Sequence, residues 1–223
     1  FGGILMKKIV SILLIVIGIM LMLTPFITEQ IVKYNSKSII NEHISPKIIK
    51  DNNQNEHLET KFDYSAVEDV DIKTVIKASL NFDKKLVIGT LLIPSLDINL
   101  PIMKGLSHAN LLAGAATMKP GQSFGLGNFT LAGHHMKNKD LLFGSLMDIE
   151  IEDIVYVSDG EYVYEYTIYD TVVVPDTDMD MLSDEKSDKE GSPIISLMTC
   201  YFSSSTGKRF FALGKLRDKY PVE

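Results

Sequence analysis

PIISLMTC (residues 193–200) leads through the polar segment YFSSSTGK (201–208) into RFFALGKL (209–216). The first and third stretches are short, mostly apolar and bounded by turn-forming residues, which is the pattern of β-strands. We therefore predict two strands, with Cys200 at the end of the first and Arg209 at the start of the second. If the strands pair as a hairpin around the polar segment, Cys200 and Arg209 become neighbours in space.

Similar short apolar runs, separated by turn residues, occupy the chain from Leu86 onward. Further strands are predicted at Val87–Ile93, Ile98–Met103, Asn128–Gly133, Ile154–Val157 and Glu161–Val174. Ser107–Ala116 is predicted to form a short helix, and Pro175–Ser192 a long polar loop. About eight strands with one or two small helices predict a mainly β domain, either a barrel or a sandwich, over residues 84–223.

The N-terminal region carries an apolar run from Ile9 to Ile27. The run has about 19 residues, close to the ~20 that cross a bilayer as a helix. A cleaved signal peptide is the alternative, but the run is long and no Ala-x-Ala cleavage site follows it. We therefore expect residues 9–28 to form a single uncleaved helix that anchors the chain in membrane lipid.

Two lysines, Lys7 and Lys8, precede this run. Flanking lysines stay on the cytoplasmic side, so residues 1–8 are predicted to be cytoplasmic and the rest of the chain extracellular. Met6 before the two lysines is typical of an initiator, which leaves open whether residues 1–5 are native.

Charge and composition limit the partners and divide the exported part of the chain. With 22 Lys and Arg against 29 Asp and Glu, the net charge is −7, which argues against a nucleic-acid partner. Residues 29–83 begin with a polar stretch that is typical of an extracellular stalk or linker, in which short helices are allowed, among them one at Val67–Leu80. The compact domain follows.

The chain has one cysteine, Cys200, which cannot form an internal disulfide. In an exported protein, an odd cysteine indicates either intermolecular pairing or a reactive thiol. The alternative is a buried, inert side chain that behaves as a small apolar group. Arg209 nearby would favour the thiolate and could donate to a developing oxyanion, although it could also be a plain surface charge.

Two adjacent histidines, His134 and His135, end the predicted strand Asn128–Gly133. Neighbouring strand residues point to opposite faces, so the pair is poorly placed to bind one metal ion. One cysteine also excludes a cysteine-rich zinc site, and we predict no metal. An imidazole near a thiol is the minimal set for thiol catalysis, but the spacing alone does not show that His134 meets Cys200.

Three motifs, taken in order, resemble those of sortases. Thr130–His134 (TLAGH) resembles the motif that carries their catalytic histidine, and Ser196–Cys200 (SLMTC) resembles their TLxTC motif, with Ser in the first position. Arg209 is similar in position to their essential arginine. Gly114–Gln122 is similar to a stretch of housekeeping class A sortases, especially of the streptococcal type. The resemblance extends over about residues 84–217.

This resemblance implies an eight-stranded β-barrel with short helices and a two-step acyl transfer. Cys200 would attack the Thr–Gly carbonyl of an LPXTG-like sorting signal, and His134 would protonate the leaving amine. An amine of a cell-wall precursor, peptidoglycan or lipid II, would then resolve the thioester, with His134 as base. Arg209 would bind the substrate backbone and the oxyanion.

The family also implies where substrate binds. Pro175–Ser192 corresponds to its specificity loop. The candidate substrate-binding residues are Thr199, Met179, Met181, Leu182, Met118 and His135. For Thr199 an ordinary strand position is the alternative, and His135 has no defined role.

No cofactor is implied. Some class A sortases bind calcium through acidic residues ahead of the histidine strand, but Met118–Phe129 contains no Asp or Glu. Because calcium needs such hard oxygen ligands, we predict no calcium dependence. Ser196 is a second departure from the family pattern, and it bears on the subclass more than on the chemistry.

Two alternative functions stay open. A pilus-polymerising or sporulation-type sortase would use the same chemistry, but no second membrane segment or lid is evident in the sequence. A non-catalytic, membrane-tethered binding module would share the barrel and the anchor without cleaving a peptide.

Overall fold

The structure is a computed structural model that describes residues 2–41, 45–54, 60–69 and 83–222. Its α-helices are α1 (Gly2–Asn41), α2 (Pro46–Gln54), α3 (His108–Ala113) and α4 (Glu185–Glu190). Its β-strands are β1 (Val87–Ile93), β2 (Ile98–Met103), β3 (Ala115–Thr117), β4 (Asn128–Ala132), β5 (Ile154–Ser158), β6 (Tyr162–Pro175), β7 (Ile194–Cys200) and β8 (Lys208–Pro221).

The strands of the described residues close into one barrel, in the order β1-β2-β3-β4-β7-β8-β6-β5. The pairs β2–β3 and β4–β7 are parallel, and the other pairs are antiparallel. The expected mainly β, eight-stranded barrel with short helices is therefore confirmed. Closure leaves no free sheet edge, so the barrel is protected from edge-to-edge pairing.

Strand β7 is buried along its whole length, which explains why its sequence is almost entirely apolar. Ile195 and Leu197 belong to the cluster of apolar residues that fills the barrel. Met198 and Cys200 belong to a second cluster. Because successive strand residues point to opposite faces, this second cluster lies on the outside of the wall. The sulfur of Cys200 is therefore on the barrel wall and not in its interior.

The helix predicted at Ser107–Ala116 is wrong over its last three residues. Ser107 caps α3 as expected, but the helix ends at its sixth residue and β3 follows. A Cβ atom on Gly114 would lie only 2.2 Å from the carbonyl oxygen of Pro101. Glycine thus lets the chain turn directly against β2 and pair with it. The helical spacing of the apolar residues does not show that the helix ends here.

The prediction that Pro175–Ser192 is a plain loop is also wrong in part. The segment contains a 3₁₀ turn at Met179–Leu182 and the helix α4. Gly191 ends α4 in the left-handed conformation, with φ of 63°, as glycine commonly does after a helix. The short elements escaped prediction because six residues are too few to show a helical apolar stripe.

Helix α1 continues past the predicted span 9–28 to Asn41. Among the described residues, one helical stretch, Met6–Tyr34, is long and apolar enough to cross a membrane, and its large apolar side chains from Met6 to Ile27 are exposed. Its far end packs on the barrel, where Val32 is buried and Glu29 Oε2 accepts a 3.1 Å hydrogen bond from Asn138.

The region predicted as a linker is packed against the barrel wherever the structure describes it. In α2, Asn52 and Asn53 each donate a 2.7 Å hydrogen bond to a carbonyl oxygen of β1. Residues 60–69 follow the barrel wall, beginning with a parallel bridge between Phe62 and Leu106. The helix predicted at Val67–Leu80 lies, from residue 70 onward, outside the described residues. The boundary between residues 83 and 84 stays a prediction.

Candidate active site

Cys200 and Arg209 face each other at the last paired position of the β7–β8 ladder, next to the connecting loop. The hairpin predicted from the sequence therefore forms and brings the two residues together. The Cys200 side chain is 1% exposed, and the Arg209 side chain is 13% exposed. Arg209 Nη2 lies 3.7 Å from Asp176 Oδ2, so a carboxylate helps to position the guanidinium.

The parallel pairing of β4 with β7 positions His134. Ala132 lies opposite Met198, so His134, two residues later, reaches the end of β7 that carries Cys200. The amide of Gly133 continues the ladder by donating a 3.0 Å bond to the Met198 carbonyl oxygen. The histidine, cysteine and arginine thus come from three neighbouring strands, β4, β7 and β8, and lie at one end of them.

His134 is buried and neutral. Its pKa is lowered from 6.5 to about 4, first by burial and then by the nearby His108. The backbone carbonyl of Glu68 and the carboxylate of Asp69 act in the opposite direction, because they favour the protonated ring. Neither ring nitrogen has a hydrogen-bond partner within the part of the chain that the structure describes. No hydrogen bond from the described residues therefore fixes which ring nitrogen carries the proton.

Burial also raises the pKa of the Cys200 thiol, which opposes ionisation. Arg209 lowers this pKa, while Asp69 and Asp176 raise it. At neutral pH the structure therefore holds a neutral thiol beside a neutral imidazole. The thiolate–imidazolium pair needed for nucleophilic attack is a minor form of this arrangement.

The burial of the site comes from residues 62–69, which we call the strap. The Val67 carbonyl oxygen accepts a hydrogen bond from Cys200 Sγ at 3.7 Å and another from Arg209 Nη2 at 3.2 Å. Ala66 and Val67 are both buried, at 0% and 3% exposure. Sequence reasoning missed these contacts, because a backbone carbonyl leaves no mark in a residue pattern.

A cavity of about 50 Å³ remains beside the strap and Arg209, and Cys200 itself does not line it. Three predicted substrate-binding residues, Met118, Met179 and Leu182, line it together with Tyr64 and Val67 of the strap. Met181 does not line this cavity. It is buried in the apolar cluster on the outer wall, so a role for it in binding substrate stays a prediction without a contact to support it.

The two other predicted binding residues lie on either side of His134 and have different surroundings. Thr199 is fully buried, and its hydroxyl donates a 2.8 Å bond to the Gly133 carbonyl oxygen. His135 is half-buried and meets the ring of Phe202 edge-on, with 6.4 Å between the ring centroids. His135 also lines a second cavity, of about 560 Å³, which lies against Thr24–Glu29 of α1 and shares no lining residue with the smaller one.

Asn128 is a structural residue of the site that sequence reasoning missed. Its amide nitrogen donates to the carbonyl oxygens of Met181 and Ser183 at 3.0 and 3.2 Å. Its amide oxygen accepts a 2.8 Å bond from the Ser196 hydroxyl. This bond gives the Ser at position 196 a structural role, since it joins β7 to the segment between β6 and β7 through β4.

Asp184 completes this network. Its Oδ1 atom accepts a hydrogen bond from the backbone N–H of Asn128 at 2.7 Å and another from Lys119 Nζ at 2.6 Å. These two contacts hold the pKa of Asp184 below its usual range, and the bond from the Asn128 backbone has the larger effect. Gly127 has φ of +55° and leaves room for the carboxylate, because a Cβ atom there would lie 2.5 Å from Oδ1. The wall beside the cavity is thus fixed by a carboxylate of the segment between β6 and β7.

Comparison with known proteins identifies relatives of this chain. A family model described as a sortase domain matches residues 91–217, which is more than half of the chain. A sortase A of Listeria monocytogenes is 39% identical over 95% of this chain and 91% of its own length. A sortase A of Bacillus anthracis is 35% identical over 94% of this chain and 93% of its own length.

Solved structures agree with the sequence comparisons. The crystal structure of Listeria monocytogenes sortase A matches with a TM-score of 0.57 and 38% identity, over 62% of this chain and 92% of that one. Sortase E from Streptomyces avermitilis matches with a TM-score of 0.53 and 23% identity, over 61% of this chain and 91% of that one. At that identity the second match shows a shared fold alone.

Proposed function

This chain belongs to the sortase family of cysteine transpeptidases, and on that premise we propose that it cleaves LPXTG-like sorting signals between Thr and Gly. It then joins the acyl part of the surface protein to an amine of a cell-wall precursor, peptidoglycan or lipid II. The observation that carries the proposal is the position of His134, Cys200 and Arg209 at one end of three adjacent strands.

In the first step, the Cys200 thiolate attacks the carbonyl carbon of the scissile Thr–Gly bond. Arg209 donates to the developing oxyanion, for which one such donor is worth roughly 10²–10³-fold in rate. His134, protonated, gives its proton to the glycine nitrogen as the C–N bond breaks. The products are a thioester on Cys200, a released amine and a neutral imidazole.

In the second step, an acceptor amine attacks the thioester carbonyl. His134 takes the proton that the amine loses, and the C–S bond breaks to release the Cys200 thiolate. The starting thiolate–imidazolium pair is thereby regenerated. Positioned acid–base catalysis of this kind contributes roughly 10²–10⁴-fold.

The cavity beside Arg209 is the candidate position for the substrate peptide. Met118, Met179 and Leu182 line it, which supports a role in receiving the Leu-Pro part of the signal. Thr199 would act by holding the end of β7. His135, next to His134 in the chain, would have a supporting role in substrate binding. No step requires a metal ion or another cofactor.

We place the enzyme at the cell membrane as a single-pass protein. Residues 9–28 would span the lipid with residues 1–8 in the cytoplasm, residues 29–83 would link, and residues 84–223 would form the extracellular catalytic domain. The exposed apolar surface of α1 and the two lysines that precede its apolar run support this topology.

The test is cleavage of a fluorogenic LPXTG-type peptide by the full chain in detergent micelles, with hydroxylamine as the probe amine. Release of the C-terminal fragment, together with a hydroxamate on the threonine, is expected for the native protein and absent for Cys200→Ala. A peptide that stays intact, or that both proteins cut equally, would rule the proposal out and favour a binding module.

A further inference from the structure

We infer that the loop between β7 and β8 contacts the outer surface of the membrane, with the exposed ring of Phe202 inserted among the lipid headgroups. The inference rests on the proposed membrane topology, in which residues 9–28 span the lipid. It gives the barrel a second lipid contact, in addition to the anchor and close to Cys200. The end of the barrel that carries the catalytic residues then faces the lipid.

The first support is the cavity of about 560 Å³ beside His135. Part of its lining belongs to Thr24–Glu29 of α1, and another part consists of Phe202 and Ser203 of the β7–β8 loop. The last residues of the predicted span lie at the outer limit of the hydrocarbon core, where the headgroup layer begins. This layer is roughly 5–8 Å deep. Because the loop borders the same cavity as the end of the span, it lies at the level of the headgroups.

The packing of α1 on the barrel holds the loop at this level. Thr28 and Ser36 are both buried, so the barrel begins to cover the helix at the point where the span ends. Between them, Val32 is buried against the barrel, and Glu29 Oε2 accepts a 3.1 Å hydrogen bond from Asn138. Since α1 is one continuous helix, these contacts fix the height of this side of the barrel above the lipid.

The second support is the conformation of Phe202. Its neighbour Tyr201 packs against the apolar cluster that fills the barrel, whereas Phe202 is 63% exposed. Phe202 has φ of 62°, a left-handed conformation that large side chains rarely adopt. A 2.8 Å hydrogen bond from the Ser203 amide to the Tyr201 carbonyl oxygen closes the turn around it. Strain retained to expose an apolar ring indicates that the ring has an apolar partner outside the barrel.

The surroundings of Phe202 suit a headgroup layer. An exposed lysine, Lys137, lines the same cavity, and Phe with nearby Lys is typical of segments that lie in the membrane interface. The carboxylates of Glu29 and Asp69 also line the cavity, but they accept hydrogen bonds from Asn138 and from the loop. Lys137 is therefore the charge available to anionic lipids.

The test uses tryptophan fluorescence, because the chain contains no Trp and one introduced Trp reports only its own surroundings. Phe202→Trp keeps a large ring on the loop. Leu126→Trp is the matched control, since Leu126 is 65% exposed and precedes β4, at the opposite end of that strand from His135. Leu21→Trp, on the exposed apolar surface of α1, is the positive control for a side chain within the lipid.

Each full-length variant is placed in vesicles of phosphatidylcholine and phosphatidylglycerol, with or without bromine on the acyl chains next to the headgroups. Bromine quenches tryptophan only at short range. Leu21→Trp should lose the most emission, Phe202→Trp should lose an intermediate share, and Leu126→Trp should lose none. The emission of Phe202→Trp should also lie at shorter wavelength than that of Leu126→Trp. Ser205→Trp, on the same loop, retains Phe202 and should be quenched as well, so the test stays valid if Phe202→Trp fails to fold.

The other outcomes separate this inference from the proposals on which it rests. Quenching of Leu21→Trp alone would overturn the inference and leave the anchor in place. Equal quenching at positions 202 and 126 would also overturn it, because the barrel would then lie on the lipid without a defined contact. An unquenched Leu21→Trp would remove the membrane topology and the inference with it. None of these results depends on peptide cleavage, so the transpeptidase function is tested separately.

Discussion

The Thr199 hydroxyl donates a 2.8 Å hydrogen bond to the carbonyl oxygen of Gly133, so the residue before Cys200 is tied to the residue before His134. Both partners are buried in the wall between β4 and β7. The bond therefore sets the position of the thiol relative to the imidazole, which neither side chain achieves by a direct contact with the other.

Thr199→Val keeps the shape of the side chain and removes this bond. We expect a loss of about 1–3 kcal/mol in stability, because the Gly133 carbonyl is left unsatisfied. A small misplacement of reacting groups costs up to about 10²-fold, so kcat should fall by roughly 10- to 100-fold. Thr199→Ser retains the hydroxyl and should keep most of kcat. Native kcat in Thr199→Val, together with a loss in Thr199→Ser, would show that the methyl group, and not the bond, matters.

Arg209→Gln should lower kcat/KM for the LPXTG-type peptide by roughly 10²–10³-fold, through loss of an oxyanion donor. Because the guanidinium lowers the pKa of the Cys200 thiol, the pH profile of iodoacetamide alkylation should also move to higher pH. Arg217→Gln is the matched control, since Arg217 lies on the same strand with its side chain 66% exposed. An unchanged alkylation profile in Arg209→Gln would contradict the electrostatic role.

Buried His134 predicts a loss of stability in acid. Its folded pKa of about 4 lies below the ordinary 6.5, so the unfolded chain binds a proton that the folded chain does not. The contribution of neutral His134 to the free energy of unfolding is therefore complete above pH 6.5, declines as the pH falls, and is lost near pH 4. The difference between the folded and unfolded pKa values is worth at most about 3 kcal/mol.

Thermal unfolding of the full chain in micelles at pH 7 and pH 4.5 measures this effect. His134→Gln carries no titrating group at this position, so its melting temperature should fall less between the two pH values than that of the native chain. Parallel losses in the two proteins would assign the acid sensitivity to the carboxylates instead.

The parts of the site that were predictable from the sequence are those set by short-range geometry. Cys200 and Arg209 pair across a hairpin, because only a short polar loop joins the seven-residue strand that ends at Cys200 to the next strand. His134 was harder to predict, because its approach to Cys200 depends on the parallel register of β4 and β7. These strands are neighbours in the sheet, although Gly133 and Ile194 are 61 residues apart in the chain. The family motifs supplied that pairing, and periodicity did not.

The strap could not be predicted, for a physical reason. The polar region 29–83 has the composition of a linker, and the contacts that hold Val67 over the site use its backbone oxygen. The structural role of Asn128 could not be predicted for the same reason. The sequence placed it in a strand, but its role depends on hydrogen bonds to carbonyl groups of a distant segment. Such contacts exist only once the barrel has formed.

Asp184→Ala should weaken substrate binding more than it slows the chemistry. The carboxylate holds Lys119 and the Asn128 amide, and so fixes the segment that carries Met179 and Leu182 at the cavity. Loss of these contacts should raise KM for the LPXTG-type peptide severalfold while kcat changes little, as steady-state kinetics will measure. Asp188→Ala is the matched control, because Asp188 is an exposed carboxylate on α4. A fall in kcat at constant KM would instead show that the network positions the reacting groups.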